Sequence, residues 1–560
     1  MIYFLRSKFW LPLIFLIMLS IAVPLAITGI RSQSTHAAAP STASHTQQAP
    51  QAPHRFSQKF DGTLPDWPEF RGDTARDGNQ STNTILSKAN ATSLVPVSAS
   101  AYTTTGEAED SPAIYQGILY YVANTIVSTS TKTLHVSTLY AINTATGQIV
   151  WNEPFPTCGT NKKPAWVSSS PAVTTGLVNG VSTTELFIGW GTSGSSRTGC
   201  VYDINASTGS LIWSYGTSGQ VTSSPAIMST NGNSIVVVGV TADNVLAFPV
   251  NYTGPLGGKG PLLWAYSTRN DTPPPDHAQY CQPAPEYCGD AIWSSPAEGI
   301  VSVNGTPHHY AYFGVGAQTN TVGRVDAIDL DTLVNNSPTQ AWSFWDPNPK
   351  FDDDFGTILA LTDANGNATR VYSGMNNGHV FGLDATTGAM YFDFDTSAHI
   401  GNVQSMVHST GALVTIGGIT ELIFGSGCPS QSVCGGTFGY VWGIDALSTD
   451  SAGTLLWRSQ NFGSDIVSSA AVVNQDVNAV VYILGPWKST KTNTAHGDLL
   501  AIDPMTGLLL ADYPVFNRTY GALASPAIYG NQIFVTEGFS AYSSNRPGQG
   551  GIAAFQCTGC

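Results

Sequence analysis

The amino-acid sequence predicts an all-β protein, an eight-bladed β-propeller built of four-stranded blades. A Ser-Pro-Ala phrase that opens a strand returns at intervals of roughly 48 to 71 residues, which suits a four-stranded blade and is too long for a solenoid coil. A second phrase, an apolar strand followed by a Thr-Gly turn and an aromatic residue, returns with it. Charged residues are only 11% of the chain, and the abundant Gly, Ser, Thr and Asn are typical of a β-rich extracellular protein with many turns.

The strand-opening phrase predicts the number of blades. Its five clear copies are Ser111–Ala113, Ser170–Ala172, Ser224–Ala226, Ser295–Ala297 and Ser525–Ala527. Three degenerate copies are Thr357–Leu359, Ser405–Val407 and Ser469–Ala471. Eight copies predict eight blades, and seven blades would follow if two adjacent repeats merged.

The closing phrase is clearest at Ala141–Trp151, and it recurs in residues 203–213, 382–392, 443–457 and 501–511. Alternation along its strand places one row of side chains between blades. The turn glycine can adopt a positive φ, and the closing Trp is large enough to wedge between neighbouring sheets. Because this Trp recurs with the blade, we expect it to be structural and not a cofactor stack.

The last repeat predicts how the ring closes. It supplies strands near Ser525–Tyr529, Gln532–Thr536 and Gly551–Gln556, and a fourth strand is missing. The spare candidate is Leu94–Tyr102, upstream of the first Ser-Pro-Ala phrase. We therefore expect an N-terminal strand to complete the last blade, which removes a free sheet edge.

Composition divides the chain into residues 1–31, 32–65 and 66–560. In the first part Arg6 and Lys8 precede an uncharged apolar run, Phe9–Ile30. Such a run is either a signal peptide, with a cleavage site at Ala37–Ala39, or an N-terminal membrane anchor. The second part is rich in Ser, Thr, Ala, Gln and Pro and is expected to be a disordered linker. The third part is the propeller, which both alternatives place outside the cytoplasm, secreted or anchored.

Charge and cysteine content narrow the class further. The net charge of −15 disfavours a nucleic-acid partner, because phosphate binding needs a basic face. An even number of cysteines in an exported chain predicts disulfides. The eight are Cys158, Cys200, Cys281, Cys288, Cys428, Cys434, Cys557 and Cys560. Pairing of sequence neighbours is expected for three bridges, which leaves Cys158 with Cys200 as a longer link.

Three short motifs carry little chemistry by themselves. Asp352–Asp354 is expected to be a solvated acidic loop and Asp363–Asn367 a hairpin turn, since the latter lacks the distal Glu of a calcium loop. His308 and His309 are expected in a rim loop, because no third metal ligand is near them in sequence.

The full match at Ala141–Trp151 resembles the blade signature of the pyrroloquinoline quinone (PQQ) repeat family. Residues Gly289–Ala297 and Asp352–Leu359 look most like polyvinyl alcohol dehydrogenases and related quinoprotein alcohol dehydrogenases, and Trp67–Asp73 is similar to the start of the family. The resemblance covers roughly residue 67 to the C-terminus and implies the propeller fold. It implies less about activity, because non-catalytic relatives, including an outer-membrane assembly lipoprotein, share the repeat.

The resemblance also implies what a dehydrogenase site would contain. Quinoprotein dehydrogenases hold the quinone over axial Ca²⁺ with a carboxylate and an Asn amide, and they use an Asp base and a basic side chain. This chain departs from the pattern at four sites, the stretches Gly194–Gly199, Gly314–Ala317, Gln318–Asp326 and Met375–Gly378. It also has no Cys-Cys dipeptide. The cofactor site is therefore predicted to be degenerate.

Two functions remain open. The first is an exported, non-catalytic binding or scaffolding propeller with no cofactor, contacting an unknown protein or glycan and touching the membrane only through its N-terminal segment. Its expected contact surface is the loop Thr268–Asp290, which carries a proline triplet, two tyrosines and the expected Cys281–Cys288 staple. The alternative is a PQQ- and calcium-dependent dehydrogenase of alcohols or polyols. Its candidate residues are Asp326 and Asp354 for catalysis and Trp293 and Arg324 for the cofactor, with no metal ligands assigned.

Overall fold

The computed structural model describes residues 64–97, 102, 106, 108–128, 133–158, 167–191, 198–242, 244–268, 274–275, 277, 291–316, 323–347, 355–428, 438–463, 465–485, 497–515, 524–537 and 551–560. These residues form an all-β structure with short 3₁₀ turns at Lys88–Asn90, Ser397–Ile400 and Asp476–Asn478. Within them, no helix has the length and apolar character needed to cross a membrane.

Two short N-terminal strands precede the first blade, β1 (Asn79–Gln80) and β2 (Leu94–Pro96). Blade 1 contains β3 (Ala113–Tyr115), β4 (Ile118–Ser128), β5 (Thr133–Asn143) and β6 (Ile149–Pro154). Blade 2 contains β7 (Ala172–Val178), β8 (Val181–Gly191), β9 (Gly199–Asn205) and β10 (Leu211–Thr217). Blade 3 contains β11 (Ala226–Thr230), β12 (Asn233–Val240), β13 (Asn244–Pro249) and, after the short strand β14 (Gly258–Lys259), β15 (Trp264–Ser267). Blade 4 contains β16 (Ala297–Val303), β17 (Thr306–Val315), β18 (Arg324–Val334) and β19 (Ser337–Trp345).

The second half of the ring repeats the pattern. Blade 5 contains β20 (Leu359–Thr362), β21 (Ala368–Gly374), β22 (His379–Asp384) and β23 (Met390–Asp395). Blade 6 contains β24 (Ala412–Ile416), β25 (Ile419–Cys428), β26 (Phe438–Asp445) and β27 (Leu455–Arg458). Blade 7 contains β28 (Ala471–Val473), β29 (Val480–Gly485), β30 (Asp498–Ile502) and β31 (Leu509–Pro514). Blade 8 contains β32 (Ala527–Tyr529), β33 (Gln532–Glu537) and β34 (Gly551–Cys557).

The strand order confirms the eight-bladed propeller and its closure. Within each blade consecutive strands pair antiparallel, and β2 pairs with β34 as the fourth strand of blade 8, with Leu94 opposite Cys557. The N-terminal strand therefore completes the last blade, as the sequence predicts. We call the face where the first strands of the blades begin the upper face. The lower face is the opposite one, where each first strand turns into the second and each third strand into the fourth.

One repeat lies elsewhere than predicted. The assignment of the sixth strand-opening phrase to Ser405–Val407 is wrong, because the first strand of blade 6 begins at Ala412. Thr410 holds the position of the phrase's serine: its backbone N–H donates to Ser469 Oγ at 2.9 Å. The copy Thr-Gly-Ala lacks the proline, so its register could not be read from the sequence.

Among the described residues, the hydroxyl of the phrase joins neighbouring blades at six of the eight positions around the ring. In the described contacts the backbone N–H at the start of a blade donates to the hydroxyl at the start of the following blade. These pairs are Ser111 to Ser170 (2.9 Å), Ser170 to Ser224 (2.9 Å), Ser224 to Ser295 (2.9 Å), Ser295 to Thr357 (3.2 Å), Thr410 to Ser469 (2.9 Å) and Ser525 to Ser111 (2.8 Å). The last pair closes the circle between blades 8 and 1. At these positions the side-chain oxygen acts as the acceptor for the backbone N–H of the preceding blade.

The tryptophan of the closing phrase wedges between blades, as expected. Trp151 of blade 1 donates its indole N–H to Ala206 O of blade 2 at 2.8 Å, and Trp342 of blade 4 donates to Ala385 O of blade 5 at 3.1 Å. Each indole packs on the turn glycine of the next blade, where an added Cβ would lie 2.8 Å from Trp151 (at Gly209) or 2.6 Å from Trp342 (at Gly388). The Thr-Gly turn therefore needs glycine both for its positive φ and for this close approach.

Two glycine substitutions separate the cost of a positive φ from the cost of overpacking against the tryptophan. Gly209 and Gly232 have nearly equal φ values, +76° and +77°, but a Cβ at Gly232 meets nothing within 4 Å. We expect Gly232→Ala to lower the free energy of unfolding by about 1 kcal/mol, the cost of a left-handed alanine. Gly209→Ala should cost about 2–3 kcal/mol, because overpacking against Trp151 adds to that cost. Urea unfolding of both variants measures the difference, and equal losses would contradict the wedge.

Candidate functional site

The axis of the propeller is lined by its own chain. The stretch Trp67–Gln80, here called the axial segment, runs past the first strands and meets the blades in their order around the ring. The hydrogen bonds are Trp67 N–H to Ile114 O (2.9 Å), Val173 N–H to Pro68 O (2.8 Å), Ile227 N–H to Glu69 Oε2 (3.3 Å), Glu298 N–H to Thr74 O (2.7 Å), Ala360 N–H to Ala75 O (2.8 Å), Leu413 N–H to Asp77 O (2.9 Å), Val472 N–H to Gly78 O (2.8 Å) and Gln80 Nε2–H to Ile528 O (3.3 Å). One segment thus ties together all eight blades.

Two buried arginines reach from the axial segment to the strand starts. Arg76 donates to Pro225 O at 2.8 Å and to Pro296 O at 3.0 Å, so it links blades 3 and 4. Arg71 donates to Ala470 O of blade 7 and to Gly411 O of blade 6, so it links these two blades. Both arginines are fully buried and have positive φ values, 69° for Arg71 and 61° for Arg76. Non-glycine residues hold such backbone only where the surrounding structure enforces it.

The carboxylates of the axial segment are engaged within it. Glu69 lies 3.3 Å from the Arg76 guanidinium, and burial raises its pKa to about 7 against the opposing effect of that cation. Asp77 accepts the Asn79 N–H at 2.8 Å. Burial and the charge of Asp73 raise the pKa of Asp77 well above its usual value. Burial also lowers the pKa of Arg71 to about 9.

These groups do not fit a calcium-held quinone. A calcium site needs several free oxygen donors around one point, whereas Glu69 is taken up by Arg76 and Asp77 by a backbone N–H. In the part of the chain that the structure describes, no three carboxylate, imidazole or thiolate groups are placed to hold a metal ion. No catalytic step through the quinone is therefore derived.

Arg324 and Asp326, the candidates for cofactor and base, form an ion pair on β18. Arg324 Nε donates to both Asp326 oxygens at 2.9 and 3.0 Å, and both side chains are fully buried. Asp326 also accepts the Ser343 hydroxyl at 2.6 Å. Because β18 is the third strand of blade 4, counted from the axis, the pair lies about 10 Å outward from the first strand. The structure thus places Asp326 away from the axis.

The pair anchors the loop Thr268–Asp290 to blade 4. Arg324 Nη2 donates to Thr268 O, at the beginning of the loop, at 2.8 Å, and its guanidinium stacks over the Trp345 ring at 4.9 Å. Within the loop His277 is buried: its Nε2 lies 2.6 Å from Asp346 O, and its ring packs edge-on against Trp345 at 5.6 Å. Thr268 and His277 are therefore both held against blade 4. Arg and Asp two residues apart on a strand share one face, and that spacing was the sequence signal for an ion pair.

The remaining candidates are placed as follows. Trp293 is partly buried on the stretch leading into β16, beside Ser294, whose hydroxyl donates to Gly314 O at 2.8 Å. Asp354 lies outside the described residues, so its relation to Asp326 stays open. Asp363 accepts the backbone N–H groups of Asn365 and Asn367 at 2.8 and 2.9 Å, which is the expected turn.

The histidine pair lies on a strand and not in a rim loop, which corrects that expectation. His308 and His309 are both on β17, and successive side chains of a strand point to opposite faces. His308 Nδ1 lies 2.8 Å from Asp329, and His309 Nδ1 lies 3.0 Å from Glu298. The hydrogen bond to Glu298 raises the pKa of His309. The two rings contact separate carboxylates and do not converge on one metal.

Two of the expected disulfides are confirmed. Cys158 pairs with Cys200 at a Cα separation of 6.2 Å, and Cys557 pairs with Cys560 at 5.7 Å. Cys428 is also disulfide-bonded. The other candidates, Cys281, Cys288 and Cys434, lie outside the described residues.

Comparisons with known proteins agree on the repeat and the fold. A PQQ-repeat family model, described as outer membrane protein assembly factor BamB, matches residues 135–273. No curated protein matches the chain. Among solved structures, the quinohemoprotein alcohol dehydrogenase from Comamonas testosteroni is 17% identical, with 89% of this chain and 81% of that chain covered and a TM-score of 0.56. Quinohemoprotein alcohol dehydrogenase ADHIIG from Pseudomonas putida HK5 is 13% identical, with coverages of 89% and 81% and a TM-score of 0.59. A europium-containing methanol dehydrogenase is 13% identical, with coverages of 88% and 98% and a TM-score of 0.56.

At these identities the likeness to solved structures shows the fold and leaves the chemistry open. The family match, the eight four-stranded blades and the recurring Thr-Gly turn with its wedged tryptophan point the same way. The chain is an eight-bladed β-propeller with the fold of the quinoprotein alcohol dehydrogenases, and its residues 135–273 match the PQQ-repeat family model.

Proposed function

We propose that this chain is a non-catalytic binding or scaffolding propeller that works outside the cytoplasm, with the loop Thr268–Asp290 as its contact surface. The anchoring of that loop carries the proposal: Arg324 holds Thr268, and His277 is buried against Trp345. A loop fixed at two points loses less conformational entropy when it binds a partner than a free loop does. Its tyrosines and prolines are suitable contact residues for a protein or a glycan.

Two further observations support this proposal. The disulfides Cys158–Cys200 and Cys557–Cys560 suit an oxidising compartment, in agreement with export. The cofactor-site candidates Arg324 and Asp326 are fully buried and engaged with each other. A base that must accept a proton from a bound alcohol has to reach the substrate, and Asp326 is instead closed in by Arg324 and Ser343.

Deletion of residues 272–287, combined with Cys288→Ser so that no cysteine is left unpaired, tests the contact surface. We expect this full-length variant to lose at least tenfold in affinity for a partner that wild type captures from a labelled cell-surface extract or a glycan array. Its thermal midpoint should stay within a few degrees of wild type, because the anchoring residues on blade 4 remain. A control deletion between β29 and β30, residues 488–494, should leave capture unchanged. Undiminished capture by the first variant would overturn the assignment of this surface.

Calorimetric titration of PQQ with Ca²⁺ into the full chain separates the two functions. We expect no binding at high micromolar PQQ. Tight binding together with dye reduction by an alcohol would replace the proposal with a PQQ- and calcium-dependent dehydrogenase of alcohols or polyols.

A further inference from the structure

The lower face of the propeller carries a ring of exposed apolar side chains. Among the described residues, every large apolar side chain that is exposed lies on the lower face, in a turn of that face or within two residues of its strand ends. All eight blades contribute to this apolar ring. Its most exposed members include Val150, Val181, Leu256, Val334, Val477 and Leu508. Single exposed apolar residues are ordinary on a protein surface, but a ring of them to which all eight blades contribute offers an apolar contact surface.

The chain enters the propeller on the same face. Leu64 lies beside Gly530, in the first turn of blade 8, and Asp66 accepts the Gln116 N–H at 2.9 Å, in the first turn of blade 1. The 63 residues before Leu64 include the uncharged apolar run Phe9–Ile30, which is long enough to span a bilayer. The chain that carries this run therefore joins the propeller on the side of the apolar ring.

The shape of the ring favours a planar occupant. The apolar tips stand on separate turns around the whole circumference, with Val181 at 65%, Leu256 at 66% and Leu508 at 65% exposure on blades 2, 3 and 7. A protein helix in a groove would need anchors along a single line, whereas a lipid surface meets all of the blades at once. Exposed carboxylates such as Asp363 and Asp450 lie on the same face, so the lipid headgroups should carry no net negative charge.

We propose that the lower face docks on the surface of a lipid bilayer with zwitterionic headgroups. The apolar tips enter the interfacial region, and the upper face with the loop Thr268–Asp290 points away from the membrane. This contact goes beyond the proposed function and does not depend on it, because it concerns the opposite face.

Neutron reflectometry on the full-length protein in a supported phosphatidylcholine bilayer tests the proposal. Docked wild type should show no resolvable water layer between bilayer and propeller. The variant Val181→Ser, Leu256→Ser, Leu508→Ser should show a hydrated gap, because serine tips gain no hydrophobic free energy on entering the interfacial region. The matched control Val181→Ile, Leu256→Met, Leu508→Met keeps the apolar tips and should stay docked.

Lipid charge provides a second readout. Replacing phosphatidylcholine with phosphatidylglycerol should open the gap in wild type at low salt, because the acidic lower face is repelled. A hydrated gap under wild type on phosphatidylcholine would overturn the proposal and assign the apolar ring to a protein partner. A gap of equal thickness under wild type and under the serine variant would also overturn the proposal.

Discussion

Arg76→Met is expected to lower the free energy of unfolding by about 4 kcal/mol, because removing one partner of a buried ion pair leaves the other charge uncompensated. The variant strands Glu69, whose carboxylate lies 3.3 Å from the guanidinium. It also removes the donors to Pro225 O and Pro296 O, which start the first strands of blades 3 and 4. The axial segment thereby loses a link that spans about 150 to 220 residues of sequence.

Chemical unfolding of Arg76→Met, Glu69→Gln and the double variant measures the coupling between the two residues. The double variant should recover about 1–2 kcal/mol relative to the sum of the single losses, since neither charge is then left alone. A suitable control is Arg370→Met: Arg370 is also buried and donates to three carbonyls, Ala446 O and Ser448 O at 3.0 Å each and Leu447 O at 3.3 Å. It should cost less, about 1–2 kcal/mol. Equal losses for Arg76→Met and Arg370→Met would contradict a special role for the axial pair.

The blades could be predicted because they repeat. Serine at a strand start and Thr-Gly before an aromatic recur wherever a blade opens or closes, so the period alone gives their number. The sixth copy was misplaced because Thr410 stands where serine is usual and Gly411 replaces the proline. The closing strand Leu94–Pro96 was found by counting the strands that blade 8 lacks.

The axial segment could not be predicted in the same way, because it occurs once and has no period. Trp67–Asp73 resembled the start of a family, but nothing in the sequence shows that Arg71 and Arg76 bind backbone carbonyls as far as 399 residues away. Those acceptors are main-chain groups, so side-chain chemistry leaves no trace of the pairing. The dehydrogenase alternative suggests Arg324 as a cofactor residue and Asp326 as a catalytic residue. Their alternate positions on β18 instead make them an internal ion pair.

Asp203→Asn is expected to flatten the pH dependence of stability. Asp203 on β9 and Glu185 on β8 are fully buried, and Phe187, two positions after Glu185, pairs with Asp203 across the strands. Burial, together with the neighbouring Glu185 charge, raises the pKa of Asp203 to about 10, and burial raises the pKa of Glu185 to about 7. In the unfolded chain these carboxyls titrate near pH 4, so the folded state holds protons that the unfolded state has released.

The sign of the effect follows from these two states. A raised carboxyl pKa contributes stability below about pH 4 that is lost progressively as the pH rises toward the folded-state value. Each proton held only by the folded chain lowers the free energy of unfolding by about 1.4 kcal/mol per pH unit. Asn cannot ionise, so Asp203→Asn should remove up to that slope between about pH 5 and 7 and exceed wild type in stability at pH 8.

Urea unfolding at a series of pH values between 5 and 8 measures this slope. Asp363→Asn is the control, because the pKa of that exposed turn carboxylate is lowered. Asp363 is therefore ionised in both the folded and the unfolded chain throughout this pH range. Its slope should match wild type. A slope for Asp203→Asn as steep as that of wild type would mean that the Asp203 carboxyl is ionised in the folded protein at neutral pH. A buried carboxylate in that state would need a cation beside it, since burial alone favours the neutral acid.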